Sequence, residues 1–283
     1  MSKIVILDGG IYLHRAVWAS VRNPSVPSTF TAMSMIIGNL KRVGVDRDDQ
    51  IILSLDGRNS WRKDFEKTYK GDRAKRKKES PIDWDLEYKA FNELWARLNY
   101  ATRWNIIHLD RIECDDIMAI ICKHVRDKEI ILLTYDSDMN QLWHYDNVKI
   151  FSPMSKKYKI KPKRFNVWNL ISKKINKEAS DNLVNPILSK EDYENREKCI
   201  SLLNLPEWVE NKILEAYNNL EPKEDRIEDI PFKSIRERYA KLYDDKSKVI
   251  DYKKQLEKEE KKKAKKEKES AKKRRSKASK VKN

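Results

Sequence analysis

The chain has 283 residues, of which 39% are hydrophobic and 37% charged, and its formal net charge is +16. No apolar run approaches the roughly 18 residues that cross a bilayer, and Asp8 interrupts the first apolar run too early for a signal peptide, so we expect a cytoplasmic protein with no membrane contact. Three cysteines without paired spacing argue against disulfides and a zinc knuckle, and the basic balance favours a polyanionic partner such as nucleic acid.

The first half of the chain alternates short β-rich runs with amphipathic segments. Buried strands are predicted at residues 3–7, 50–55, 104–109, 128–135 and 147–151. Helices are predicted at residues 29–44 and 85–101 and within 111–125. Apolar, β-branched runs between helices indicate a parallel sheet covered on both faces, so we predict an α/β domain over residues 1–160.

The second half is helical and polar in pattern. Helical periodicity is found in segments 164–175, 196–205, 207–220 and 234–243, which predicts a smaller helical region over residues 161–252. Residues 253–283 carry 16 Lys and Arg against 5 Glu, and we expect this basic low-complexity tail to be disordered on its own. Its charge leaves two interpretations open, a solvated extension without function and an electrostatic tether to nucleic acid.

Acidic side chains follow four of the predicted strands. They are Asp8, Asp56, Glu113, Asp115, Asp116, Asp136 and Asp138. A single Asp after a strand is often only a helix N-cap or a turn residue, but the carboxyl ends of parallel strands line one crevice. Seven carboxylates there would repel one another unless cations neutralised them. Oxygen ligands without His or Cys favour magnesium or manganese, and paired acids suit two ions roughly 3.5–4 Å apart.

The segments ILDGG, LSLDG, IECDD and TYDSD, in this order and spacing, resemble the metal-binding motifs of the 5′-nuclease superfamily. This superfamily includes flap endonucleases and the 5′-3′ exonuclease domains of bacterial DNA polymerases. The resemblance covers about residues 3–182 and extends more loosely, through NVKIFSPMSKKYKIK and LPEWVENKILEAYNNL, to the ribonuclease H group of T-even bacteriophages. It implies a PIN-like α/β nuclease domain whose parallel sheet is flanked by helices, followed by a helical DNA-binding region and the basic tail.

The resemblance also implies a ligand set for two magnesium ions, for which manganese could substitute. A further acid pair, Glu178 and Asp181 in KEASDN, stands where the family has Gly-Asp-x-x-Asp-Asn, with Glu in place of the first Asp. By this resemblance one ion is held mainly by Asp8, Asp56, Glu113 and Asp136. The other is held mainly by Asp115, Asp138 and Asp181, with Glu178 beside it and Asp116 as a direct or water-mediated ligand. The segment that follows has no glycine, although the family grips duplex DNA there with a glycine-rich element.

A basic arm is predicted at residues 58–80. Within it, residues 60–78 carry nine Lys and Arg against three acids, and Trp61, Phe65 and Tyr69 are spaced as one stripe of a helix. Trp61 and Phe65 fit either a buried face or a nucleic-acid surface. The segment YKGDR matches the family's Tyr-Lys-x-x-Arg, which implies that Lys70 contacts the scissile phosphate and that Tyr69 stacks on a base. By the same resemblance, the nucleic-acid contacts are Arg15, Arg62, Tyr69, Lys70 and Arg73.

The sequence is therefore interpreted as a magnesium-dependent 5′-3′ exonuclease and flap endonuclease of the phage ribonuclease H type. Such an enzyme hydrolyses phosphodiesters from the 5′ end of RNA or DNA on duplex or flap substrates and removes lagging-strand primers in replication. Lys70 and the seven strand-end acids form the predicted catalytic set. The resemblance further implies a monomer in the cytoplasm of a phage-infected host, with a single-stranded-DNA-binding protein and a sliding clamp as partners.

Two alternatives stay open at this stage. One is a PIN-type endoribonuclease, which also places acids at strand ends, but PIN domains are shorter and lack the basic arm and a second acid pair like Glu178 and Asp181. The other is a non-catalytic nucleic-acid-binding relative whose metal site has decayed. The near-complete set of acids argues against such a decay.

Overall fold

The computed structural model describes residues 2–176, 187 and 189–280. Its strands are β1 (Ile4–Asp8), β2 (Gln50–Leu55), β3 (Asn105–His108), β4 (Ile130–Leu133), β5 (Val148–Ser152) and β6 (Lys157–Tyr158). They form one sheet in the order β3-β2-β1-β4-β5-β6, in which the first five strands along the chain are parallel and β6 is antiparallel to β5. The predicted α/β fold with a parallel sheet is confirmed, and the two-residue β6 is the strand that the sequence pattern did not predict.

The central strands are buried because both faces of the sheet are covered. All residues of β1 and β4 are buried, which is the reason that these runs are continuously apolar rather than alternating. In the register, Ile4 lies between Gln50 of β2 and Ile130 of β4. The chain continues from β1 to β2 and β3 on one side and to β4 and β5 on the other, so a crevice opens between the carboxyl ends of β1 and β4.

Helices cover this sheet and form most of the second half. They are α1 (Gly9–Arg22), α2 (Ser28–Val43), α3 (Asp72–Lys78), α4 (Trp84–Ala101), α5 (Cys114–His124), α6 (Val167–Ile175), α7 (Lys190–Ile200), α8 (Glu207–Asn218), α9 (Lys233–Ala240) and α10 (Tyr252–Lys280). Short 3-10 helices lie at Trp61–Asp64, Asp138–His144 and Ile227–Asp229. Helix α2 ends, as predicted, where Gly44 takes a left-handed conformation with φ of 66°. Helix α7 lies earlier than the predicted segment 196–205, because Ser189 and Asp192 form a capping box that begins it at Lys190.

The basic arm is not one helix, so the predicted stripe does not form. The 3-10 helix Trp61–Asp64 is separated from α3 by a turn in which Lys70 has a φ of 54°. A residue in the left-handed region cannot continue a helix. Trp61 and Tyr69 are buried, whereas Phe65 is 39% exposed.

The described residues up to Lys248 belong to one compact unit, and a second unit begins at Val249. Within the first unit, Val209 and Ile213 of α8 lie in the same core cluster as α5, and the predicted domain bounds stay a prediction. The second unit contains α10, and the disorder expected for the tail on its own stays a prediction. Lys, Arg, Glu and Ala are strong helix formers, and Glu–Lys pairs four residues apart add support.

The longest of these helices, α10, is strongly charged, and none of the described helices offers the long apolar stretch that a bilayer crossing requires.

Candidate active site

An acidic cavity of about 210 Å³ lies at the carboxyl ends of the central strands. It contains six of the seven acids predicted at strand ends, namely Asp8, Asp56, Glu113, Asp115, Asp136 and Asp138. Basic and aromatic residues also line it, among them Lys70, Arg73, Tyr69 and Tyr135. The predicted convergence of acids from separate strands is thus present within the part of the chain that the structure describes. Glu178 and Asp181 lie outside the described residues.

Asp8 and Asp56 are fixed by the backbone of the elements that follow them. Asp8 ends β1 and caps α1, where its Oδ1 accepts a hydrogen bond from the Ile11 N–H at 3.1 Å. Its Oδ2 accepts one from the Thr134 hydroxyl at 3.2 Å. Asp56 follows β2, and its Oδ1 accepts from the Cys114 N–H at 2.9 Å, which joins the end of β2 to the first turn of α5.

Asp136 and Asp138 occupy the turn after β4. Asp136 Oδ1 accepts a hydrogen bond from the Asp138 N–H at 2.8 Å. Lys159, just after β6, donates to the backbone carbonyls of Asp136 at 2.7 Å and of Tyr135 at 3.0 Å. Asp138 forms an ion pair with Lys174 of α6. Neither lysine was identified as a site residue from the sequence, because both act through tertiary contacts.

Glu113 lines the cavity, but protein groups occupy both of its carboxylate oxygens. Oε1 accepts from Lys70 Nζ at 2.8 Å, and Oε2 accepts from the Tyr69 hydroxyl at 3.0 Å and from Arg62 Nη1 at 3.1 Å. Burial alone would raise the pKa of Glu113, but the charges of Lys70 and Arg62 outweigh it and hold that pKa below its usual value. Glu113 is therefore a charged group that is already neutralised by the arm.

Asp116 is not among the residues that line the cavity, and its role as a metal ligand stays a prediction. It is fully buried, and it accepts from Arg62 Nη2 at 2.6 Å, Arg62 Nη1 at 3.0 Å and Trp61 Nε1 at 2.9 Å. It also closes a capping box by accepting from the Glu113 N–H at 3.1 Å. The Glu113-x-x-Asp116 spacing was the sequence signal for this structural role.

Arg62 and Tyr69, which are predicted nucleic-acid contacts, are both buried. Arg62 is 1% exposed, and besides its bonds to Asp116 and Glu113 it donates from Nε to the Cys199 carbonyl at 2.8 Å. Tyr69 is 3% exposed, so its ring face is covered and its hydroxyl is bound to Glu113. Both residues hold the base of the arm against α5.

The remaining predicted contacts are more accessible. Lys70 and Arg73 line the cavity, and Arg73 is exposed. Arg15 is partly exposed and is not among the cavity-lining residues, and its Nη1 is buried without a hydrogen-bond partner among the described residues.

Among the described residues, Asp8 and Asp115 form no ion pair with a basic side chain of the cavity. Burial, together with the charges of Asp56 and Asp136, raises the pKa of Asp8 to about 7. Burial also raises the pKa of Asp115 well above its usual value, with contributions from Asp136 and Asp8. Like charges enclosed in one cavity favour protonation or a bound cation.

The donor set fits a hard divalent cation. A carboxylate oxygen of Asp8, one of Asp115 and the Cys114 sulfur lie within 4.8 Å of one another. Burial, followed by the charges of Asp8 and Asp56, raises the pKa of Cys114 well above its usual value, so the thiol stays protonated and is a poor ligand. The usable donors are then carboxylate oxygens, which Mg²⁺ and Mn²⁺ prefer.

Residues 3–171 match the family described as 5′-3′ exonuclease, N-terminal resolvase-like domain. The chain belongs to this 5′-3′ exonuclease family. Its membership confirms the predicted 5′-nuclease assignment and places the chain among nucleases that hydrolyse phosphodiesters.

Individual relatives are more distant. Ribonuclease H of Enterobacteria phage T4 is 32% identical over 124 residues, which are 42% of this chain and 41% of that protein, so the match spans less than half of the relative's length. The T5 D15 protein, crystallised with metal ions, has a TM-score of 0.51 at 16% identity and covers 77% of this chain with 100% of its own. A complex of the T5 D15 flap endonuclease with DNA and metal ions has a TM-score of 0.47 at 14% identity and covers 85% of this chain with 97% of its own.

Removing the Arg62 guanidinium should destabilise the protein strongly. In Arg62→Met, Asp116 stays buried without its cation, and breaking a buried pair in this way costs about 3–5 kcal/mol. Urea unfolding measures the loss of free energy of unfolding. Lys63→Met, at the exposed neighbouring position, is the control and should stay close to wild type; an Arg62→Met protein within about 1 kcal/mol of wild type would contradict the assigned role.

Asp8 should make the free energy of unfolding of the metal-free protein depend on pH. The unfolded side chain loses its proton near the ordinary pKa of 3.8, whereas the folded one keeps it until about 7. Between these values the folded state binds more protons, so the free energy of unfolding falls as pH rises. In chelator, wild-type protein should lose about 4 kcal/mol relative to Asp8→Asn across this window. Urea unfolding at a series of pH values measures this difference, and parallel curves for the two proteins would refute it.

Proposed function

We propose that this chain is a divalent-metal-dependent 5′-3′ exonuclease and flap endonuclease that hydrolyses phosphodiesters from the 5′ end of RNA or DNA on duplex or flap substrates. The observation that carries the proposal is the convergence of carboxylates from β1, β2, β4 and α5 in one cavity that Lys70 and Arg73 also line. Carboxylates alone repel a phosphodiester, so this cavity suits such a substrate only when cations are present as well.

The residues available to hold metal are Asp8, Asp56, Asp115 and Asp136, with Asp138 and Glu113 joining when Lys174 and Lys70 release them. Two bound Mg²⁺ ions, or Mn²⁺ in their place, would supply Lewis-acid stabilisation of the phosphodiester charge and would lower the pKa of water. The T5 D15 protein, which shares the fold, was crystallised with metal ions, and this supports a metal-dependent site. By the family resemblance, Asp181 and Glu178 would complete the site of the second ion.

The chain's own cations would then bind and orient the substrate. Lys70 Nζ lies at the cavity beside Glu113, and the pKa of Lys70 is raised, because the attraction of Glu113 outweighs the effect of burial, so it stays charged. A charged amine at this point can move from Glu113 to a phosphate oxygen. Exposed Arg73 would attract the strand, and Lys159 would keep the Asp136 turn in place during binding.

The match to phage T4 ribonuclease H supports the biological part of the proposal. This part is the removal of lagging-strand RNA primers by a monomer in the cytoplasm of a phage-infected host, with a single-stranded-DNA-binding protein and a sliding clamp as partners. The family match favours this function over a PIN-type endoribonuclease. A cleavage assay on a 5′-labelled primer–template distinguishes this function from that of a non-catalytic nucleic-acid-binding protein.

Asp136→Asn should nearly abolish cleavage and leave DNA binding intact or improved. The amide keeps the hydrogen bond to the Asp138 N–H but removes a charge that both holds metal and repels phosphate. Cleavage of a 5′-labelled primer–template is followed with magnesium and with chelator. Asp146→Asn, whose side chain is 98% exposed, should cleave like wild type. Near-wild-type turnover of Asp136→Asn in saturating magnesium would contradict the site, and a wild-type protein that binds without cleaving would be the non-catalytic alternative.

Lys70→Ala should lower the single-turnover cleavage rate more than the affinity for DNA. The loss should be tenfold or more, because Lys70 is proposed to contact the phosphate that reacts and an interaction of about 1.4 kcal/mol is a factor of ten in rate. Lys67→Ala, at an exposed position of the same arm, is the matched control and should change only binding. If Lys70→Ala weakened affinity with an unchanged saturated rate, Lys70 would be an ordinary backbone contact.

A further inference from the structure

The segment from Asn147 to Asn176 contains nine Lys and Arg and no Asp or Glu. Several of these cations are exposed, and a tryptophan, Trp168, lies among them with 51% of its surface exposed. The exposed members define what we name the β6–α6 surface, which consists of Lys156, Lys157, Lys163, Arg164, Trp168 and Lys173. A surface with this much charge of one sign attracts a polyanion.

This surface borders the acidic cavity. Lys159, next to β6, donates to the backbone carbonyl of Asp136 at 2.7 Å. Lys174 of α6 pairs with Asp138 and donates to the Ser137 hydroxyl at 3.3 Å. Both elements that carry the surface therefore touch the turn that brings Asp136 and Asp138 to the cavity. A strand lying on the surface would lead into the proposed site of cleavage.

Trp168 stands out because its helix is well anchored without it. Val167, Ile171 and Ile175 are buried and hold α6 on the core. The preceding Phe165 packs edge-on against Trp143, with the ring centroids 5.6 Å apart. The half-exposed ring of Trp168 can stack on another aromatic ring. A nucleic-acid strand offers such a ring in each base and negative charge in each phosphate, which suits a tryptophan surrounded by cations.

We propose that the β6–α6 surface binds single-stranded nucleic acid beside the cavity, where Trp168 stacks on an unpaired base while Lys157, Arg164 and Lys173 contact phosphates. This proposal rests on the proposed function, because cleavage in the cavity defines the direction in which the bound strand would run. Stacking on a side chain requires a base whose face is uncovered, and in a duplex the neighbouring pairs cover these faces. The surface thus favours the unpaired part of a substrate over its duplex part.

Binding without cleavage tests this proposal. The full-length protein is titrated in chelator with a 16-nucleotide oligothymidylate and with a duplex of equal length. Trp168→Ala should lower affinity for the single strand about tenfold, the order expected from loss of one stacked base, and should leave duplex affinity nearly unchanged. Trp168→Phe keeps an aromatic face and should retain most of the affinity. Trp208→Ala is the matched control, since Trp208 of α8 is 43% exposed but lies outside the β6–α6 surface.

A charge variant tests the surface independently of Trp168 packing. Replacing Lys157, Arg164 and Lys173 with Ala should reduce the slope of log affinity against log salt for the oligothymidylate by about 2, because each phosphate contact on a single strand contributes about 0.7. Replacing Lys128, Lys233 and Lys241, which are exposed elsewhere, removes the same charge and should change the slope less.

Three results would overturn the proposal. They are a Trp168→Ala protein that binds oligothymidylate like wild type, an equal loss of duplex affinity, and an equal effect of Trp208→Ala or of the control charge variant. Failure of the proposed function would look different, because wild type would then not cleave the labelled primer–template in magnesium, while these metal-free binding results would stand.

Discussion

The buried ion pair between Arg62 and Asp116 is the interaction on which the arrangement of the site depends. Arg62 has three partners in two separate parts of the chain. Glu113 and Asp116 lie at the start of α5, and the Cys199 carbonyl lies near the end of α7. A guanidinium with five fixed donors can satisfy such partners simultaneously, whereas an ammonium could not match their directions. The arm, α5 and the end of α7 are thereby held in one geometry beside the cavity.

The acids of the cavity fall into two electrostatic groups. At the margins, Glu113 and Asp138 are each paired with a lysine, Lys70 and Lys174. At the centre, Asp8 and Asp115 have raised pKa values because burial and neighbouring carboxylates act on them together. A competing cation can displace the two lysines. The repulsion between Asp8 and Asp115 falls when one of them binds a proton or when both share a cation.

Sequence patterns predicted the sheet and the convergence of acids because both follow from rules that act locally. A strand buried on two faces must be continuously apolar, and parallel strands must bring their carboxyl ends to one edge. The roles of Asp115 and Asp116 could not be separated in this way. They are adjacent in the first turn of α5, about 100° apart around the helix, and only the position of Arg62, 54 residues away along the chain, decides that Asp116 points away from the cavity.

Local sequence patterns were equally unable to predict the contacts of the arm and of the lysines around the Asp136 turn. Tyr69 matched a family motif whose implied role needs an exposed ring, but Glu113 supplies an internal partner for its hydroxyl. Lys159 and Lys174 carry no local signal, since their importance lies in carbonyl and carboxylate groups that the fold brings near. Motifs therefore predicted which residue types gather at the site, and tertiary contacts decided which of them face it.

The high pKa of Asp8 means that a metal ion and a proton are rivals for the same oxygen atoms. Burial and the neighbouring carboxylates raise the pKa of Asp8 to about 7, and a cation that bound there would displace its proton into the surrounding water. Metal binding at this position would therefore release protons, and acid would compete with the metal for the same oxygen atoms. The burial of one side chain at the end of β1 would in this way make metal affinity depend on pH.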